Sequence, residues 1–207
     1  MGLGVVLVVS FLVRDGEPLS WELPVFYAIN GLPDWIYRPL WLFMQFGNYV
    51  MVAVVAVALL LLRKWIPALA VLVLGAGKYL SERAVKAMII RHRPAQIVDE
   101  VVLRGAPAVG RGYLSGHVIV AVGLATVLSP WLGRRWMMVI WSLAGLVCFG
   151  RIYVGAHLPL DVVGGAALGW TLGSLVNAVA APQKQTNDPK TSVPESEIRR
   201  RDSPTER

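Results

Sequence analysis

The chain reads as an all-α, polytopic membrane bundle. Three observations predict this: 56% of its 207 residues are hydrophobic and only 16% charged, mean hydropathy is +0.57, and the apolar residues fall in runs separated by short clusters of Arg, Lys, Gly and Pro. That composition leaves too little polar surface to cover a soluble globule. Runs of about 15 to 20 apolar residues approach the length that crosses a bilayer. Five clear spans and a shorter N-terminal one, about six in all, are expected.

Taken in order, residues 1–13 (MGLGVVLVVSFLV) are apolar but short, and neither a basic leader nor a small-residue cleavage site marks them as a signal peptide. A shallow first helix is expected there. Residues 21–46 are rich in Trp, Tyr and Pro, which suits helices at headgroup level that enter the membrane near Tyr49, or a folded external loop. Residues 1–48 are therefore set apart as an N-terminal segment preceding a core over 49–181. The spans of that core are read at Tyr49–Leu62, Ile66–Met88, Tyr113–Leu132, Trp136–Gly150 and Leu158–Ala181. Gly165, Gly169 and Gly173 recur every fourth residue of the last one, a spacing that lets helix backbones approach closely and places this helix at the centre of the bundle. Residues 182–207 have no apolar face to bury and read as a disordered cytoplasmic tail.

Short loops carrying Arg63 and Lys64, and Arg134 and Arg135, together with the basic tail, define a cytoplasmic side. The 89–112 loop, residues 115–117 and the turn from Arg151 to His157 then face outward. The net charge of +7 is spread between apolar runs and forms no basic stripe with interleaved aromatics, so nucleic acid is not the expected partner. Cys148 has no possible intrachain partner, which excludes an internal disulfide.

Three polar clusters fall on the outward side. In KAMIIRHRP, Lys86 and Arg93 are costly near lipid unless paired or hydrated, and a guanidinium fork with a compact ammonium suits a tetrahedral oxyanion. In LSGH, Ser115 is a preferred N-cap and Gly116 lets an anion approach the free N–H groups of a helix start, with His117 in the first turn beside it. In GRIYVGAHLPLD, His157 and Asp161 are four residues apart, so a carboxylate on a helix beginning near Pro159 reaches back to the imidazole, while Arg151 adds a cation. His92 reads as a surface residue, and Lys78 and Glu82, four apart, as a pair inside the bundle. No cluster of carboxylates or histidines has a metal-site pattern, and neither metal nor cofactor is expected.

Lys86 to Arg93-Pro94, Ser115-Gly116-His117, and Arg151 to His157 to Asp161 together resemble the tripartite signature of the type 2 phosphatidic acid phosphatase superfamily of membrane lipid phosphatases, with every spacing kept. The resemblance covers residues 49–181. Leu114 and Gly150 stand where that family usually has proline and serine. The resemblance implies a metal-independent hydrolase in which His157 attacks phosphorus to form a phosphohistidine, Asp161 orients it, and His117 protonates the leaving oxygen. Lys86, Arg93, Ser115, Gly116 and Arg151 would hold the phosphoryl oxygens. The substrate expected is a polyprenyl diphosphate of the undecaprenyl or decaprenyl type. Phosphatidylglycerol phosphate or phosphatidic acid, a lipid phosphotransfer and a non-catalytic lipid-phosphate binder are the alternatives.

Overall fold

A computed structural model describes residues 1–181. The tail read at 182–207 lies outside the described residues. Within them every named element is helical: α1 (Gly2–Leu12), α2 (Glu22–Asn30), α3 (Tyr37–Met44), α4 (Val50–Leu61), α5 (Trp65–Met88), the single turn α6 (Pro94–Ile97), α7 (Gly116–Leu128), α8 (Arg134–Tyr153) and α9 (Pro159–Ala180). The five expected spans correspond to α4, α5, α7, α8 and α9. Breaks fall where the local chemistry dictates: Arg63 adopts a positive φ in the α4–α5 turn, Pro130 converts the end of α7 into a 3-10 turn, and Pro159 opens α9 at its first position, where its missing N–H costs nothing.

The last helix is central, as its glycines predict, packing against α1, α2, α5, α7 and α8, and α7 beside it is the more completely buried. Every residue from Val118 to Val127 is buried, as befits a helix apolar on all sides. The glycine stripe of α9 runs along it. A Cβ at Gly165 would lie 2.8 Å from the Ser115 carbonyl oxygen, one at Gly169 2.6 Å from that of Ile119, and one at Gly173 2.6 Å from Cβ of Thr126. These contacts let the two backbones touch, and the seam buries both α7 and the glycine face of α9. On the far side of α9, Val6, Val9 and Val13 from the N-terminal segment pack with Leu160, Ala167 and Leu168.

Residues 21–46 fold into short helices, α2 and α3, that sit over one end of the bundle. Phe26 joins the core of α7 and α8, and Asn30 donates from its amide to the carbonyls of Val102 and Tyr153, both at 2.9 Å. The segment Asp34–Gly47 then bends by 65° into α4.

Leu3, Leu7, Leu61, Trp65, Leu69, Leu80, Trp136 and Val179 all stand exposed on the outside of the helices. A surface this apolar calls for hydrocarbon as its solvent. By length and apolarity α8 and α9 are sufficient to cross a membrane, and the bent pair around α4 makes up to three. The expectation of about six spans is not met by this measure. With 11 residues α1 is short, as is α7 with 13, while α5 has the length but carries Lys78, Glu82, Arg83 and Lys86 in its last three turns.

Candidate active site

The end of α5, the start of α7, the end of α8 and the start of α9 meet at one end of the bundle, beneath α2 and α3. The three clusters far apart in the chain are thereby brought together. Lys86, Arg93, Gly116, His117, Arg151 and His157 line a single cavity of about 520 Å³. Ser115 and Asp161 do not line it: both are fully buried immediately behind its wall.

Ser115 holds the N-cap position in extended conformation, yet its hydroxyl makes no capping hydrogen bond. Its main-chain N–H instead donates to the Asp161 carbonyl at 3.1 Å. The helix start that carries His117 is thus tied directly to the first turn of α9. Gly47 supports it from the other side, since a Cβ there would meet the His117 carbonyl oxygen at 2.7 Å.

His157 follows a sharp turn in which Gly155 takes φ +73°, and a Cβ there would lie 2.9 Å from both Val101 Cγ1 and the Val102 carbonyl oxygen, so only glycine fits. The imidazole is buried and turns Nδ1 towards Asp161 Oδ2 at 3.7 Å. That separation is too long for a hydrogen bond, and Nδ1 has no other partner. Oδ2 accepts the Leu158 main-chain N–H at 2.9 Å, and Oδ1 accepts Nη1 of Arg91 at 3.0 Å. The expected carboxylate–imidazole pairing is therefore a close approach of the carboxylate to the ring without a direct hydrogen bond. Burial pushes His157 down to about 4; Asp161 acts upward against Arg151 and Arg93, which act downward.

The basic wall is not uniformly free. Arg93 donates from Nη1 to the Ala156 carbonyl at 3.1 Å, while its Nε and that of Arg151 are buried without a partner. Arg104 also lines the cavity, but its guanidinium is engaged by Asp34 and the carbonyls of Asn30, Leu32 and Tyr153. Lys86 pairs with Glu82 at 2.6 Å. So does Lys78, as its spacing predicts. Glu82 lies against the first residue of α7, where a Cβ on Gly116 would come within 2.7 Å of its Oε1. A carboxylate thus sits where the helix N-terminus and two lysines would receive an anion.

Sequence reasoning missed Arg91 and Glu22. Both are completely buried and paired at 2.5 Å, with Arg91 bridging to Asp161. Arg91 was hidden beside Arg93 in the same basic run, and nothing local marks Glu22. His92 between them is exposed, as expected, and forms an isolated bridge with Arg111. Gly150 admits Met44, whose Cγ and Sδ would lie 2.7 Å from a Cβ there, so a serine would have to displace the Met44 side chain. Among the described residues no group of three His, Cys, Asp or Glu is placed to hold a metal ion.

Fold and site define a helical-bundle protein with two imidazoles and five cationic side chains, Lys78, Lys86, Arg93, Arg104 and Arg151, around one cavity at the end of the helices. Residues 63–184 match the model of the PAP2 superfamily, more than half of the chain, and the chain belongs to that family. An undecaprenyl-diphosphatase of Sulfolobus acidocaldarius is 34% identical over 105 residues, 49% of this chain and 47% of that protein. A lipid A 4'-phosphatase of Porphyromonas gingivalis is 30% identical over 105 residues, 48% of this chain and 44% of that one. The chain spans less than half the length of either relative in these matches. The crystal structure of Aquifex aeolicus LpxE superposes with a TM-score of 0.73 at 24% identity, covering 78% of this chain and 98% of that one. A transmembrane PAP2-type phosphatidylglycerolphosphate phosphatase from Bacillus subtilis gives 0.67 at 21% identity, covering 86% and 94%. At these identities the likeness is one of fold.

Proposed function

We propose that the protein is an integral-membrane lipid phosphatase that removes the terminal phosphate of a polyprenyl diphosphate or a related phospholipid through a phosphohistidine. One observation carries the reading: His117, His157, Lys86, Arg93 and Arg151 all line one cavity. An undecaprenyl-diphosphatase among the relatives supports the choice of substrate.

With Nδ1 turned to Asp161, the ring leaves Nε2 for phosphorus. Its lone pair forms the P–N bond as the P–O bond to the lipid breaks, and the electron pair leaves with that oxygen. His117 supplies the proton to it. Water then attacks phosphorus, the P–N bond breaks, His117 takes the proton, and inorganic phosphate is released. Through both steps the charge on the phosphoryl oxygens rests against Arg93, Arg151, Lys86 and the N–H groups at the start of α7, with Ser115 fixing that start. Partnerless Nε donors on Arg93 and Arg151 point to an oxyanion as their natural acceptor. A wall built from cations stabilises the transition state without a divalent ion. The tail of the substrate lies between the helices of residues 49–181, five of which, with the short N-terminal helix as a sixth, cross or enter the membrane, and the site opens to the extracytoplasmic face, opposite Arg63, Lys64, Arg134 and Arg135.

The test is phosphate release by the purified chain in detergent from polyprenyl diphosphate, phosphatidylglycerol phosphate, phosphatidate and diacylglycerol pyrophosphate, with and without EDTA. Release is expected fastest from the polyprenyl diphosphate, undiminished by EDTA, and absent in His157→Ala, which still binds orthovanadate. Turnover at the normal rate in that variant removes the nucleophile from the scheme.

A further inference from the structure

Behind His157 lies a buried chain of charges that the phosphoryl chemistry does not touch. The Arg91 guanidinium stands between two carboxylates. Its Nη2 donates to Glu22 Oε2 at 2.5 Å and its Nη1 to Asp161 Oδ1 at 3.0 Å, and the side chains of all three residues are 0% exposed. Glu22 is itself anchored at both oxygens, accepting the main-chain N–H of Leu19 at 3.0 Å and of Leu160 at 2.9 Å. The N-terminus of α2 is thereby joined to the first turn of α9, next to Asp161.

A buried ion network is a poor means of stabilising a fold, since apolar side chains of equal volume commonly do as well or better. Its value lies in what it positions. Two carboxylates against one guanidinium leave one negative charge in excess, and the uncharged partner it faces is the ring of His157, 3.7 Å from Asp161. That ring gains positive charge as it attacks phosphorus. Were Arg91 paired with Asp161 alone, the pair would be neutral and the ring would feel little of the carboxylate. Glu22 takes Nη2 of the Arg91 fork at 2.5 Å and also draws on Nη1 at 3.4 Å, which Asp161 shares, so Asp161 keeps its charge for the imidazole.

Building on the phosphatase reading, we infer that Glu22 and Arg91 are positioning residues for the nucleophile: together they fix the Asp161 carboxylate and sustain its charge, and through it set the tautomer and basicity of His157. Neither side chain lines the cavity, so neither touches substrate. Outer partners that orient a reacting side chain this way affect turnover more than binding.

The experiment uses the full chain in detergent. Glu22→Gln keeps the shape of the side chain but removes its charge and turns a donor towards Arg91. We expect kcat to fall by about tenfold to a hundredfold, the size seen when an outer-shell partner is lost, with KM within about twofold. Because the effect runs through Asp161, adding Glu22→Gln to Asp161→Asn is expected to cost less than about a further twofold. Unchanged kcat, or losses that multiply in the double variant, overturn the inference. A second variant, Arg91→Lys, keeps the charge but cannot reach both carboxylates with one fork. It is expected to lose kcat similarly, and normal turnover there overturns the inference even if Glu22→Gln fails to fold.

An arm independent of turnover separates this inference from the phosphatase reading. With only three histidines in the chain, 15N-histidine labelling and subtraction of the His157→Ala spectrum identify the ring. In the wild type it is expected with its proton on Nδ1. In Glu22→Gln and Arg91→Lys the population moves towards Nε2–H, while exposed His92 is unchanged. If wild-type protein releases no phosphate from any lipid, the phosphatase reading falls and the spectra still decide this one: an identical His157 signal in wild type and both variants refutes it.

Discussion

Asp161 stands 3.7 Å from the imidazole of His157 while committing both oxygens elsewhere, one to Leu158 and one to Arg91. The carboxylate is therefore fixed before the ring needs it, and acts on the ring through charge and position.

Asp161→Asn tests that arrangement. An asparagine has one acceptor where two are needed, so its amide must face either the Leu158 N–H or the Arg91 guanidinium, donor against donor. We expect kcat to fall by about 10²- to 10⁴-fold and stability by about 1–3 kcal/mol, the cost of a buried polar group left unpaired. Phosphate-release kinetics and thermal unfolding in detergent measure the two separately. A loss of stability with normal kcat would assign Asp161 to structure alone.

A second prediction concerns pH. Burial holds His157 at about 4, well below the usual imidazole range. Since the depressed value keeps the ring neutral at any pH above it, and the neutral ring is the proposed nucleophile, the acid limb of kcat/KM should lie near pH 4 once corrected for the substrate's own ionisation at about 6. Measured from pH 3.5 to 8 on a short-chain substrate, a limb near 6.5 would place the ring in water and contradict its burial.

Much of this was legible in the sequence because hydrophobic runs and charge spacing are local signals. The five core helices lie where the apolar runs put them, and Lys78 pairs with Glu82 as an i, i+4 spacing demands. The glycine stripe announced a close helix contact but not with which helix, since burial on both flanks of α7 depends on helices distant in sequence. Glu22 is the clearest case of what could not be read. Its role exists only after α2 folds back 138 residues along the chain to Leu160, and no periodicity encodes that return.

The seam between α7 and α9 makes a third prediction. At Gly165 an added methyl would lie 2.8 Å from the Ser115 carbonyl and 3.3 Å from Cβ of Val118, so Gly165→Ala must push the start of α7 away. Overpacking of this kind costs about 1–3 kcal/mol. Because the displaced turn carries His117, activity should drop further than stability does, by about a hundredfold for a shift on the order of 1 Å. Equal, small losses in both would mean that α9 yields and the site keeps its geometry.

Glu82 supplies the last. Its carboxylate bonds Lys78 and Lys86 at 2.6 Å each and rests against Gly116, occupying the very donors that a phosphoryl group would use. An incoming lipid phosphate must share Lys86 with it and approach a like charge. Glu82→Gln relieves that competition without changing the side chain's shape, so KM for the lipid phosphate should fall by about three- to tenfold, on the order of 1 kcal/mol after solvent screening of a part-exposed group. Inhibition by inorganic phosphate should tighten in parallel, because it draws on the same donors. A raised KM would carry the opposite meaning: that Glu82 holds Lys86 in place for the substrate, and that the lysine is lost from the site once its partner is neutral.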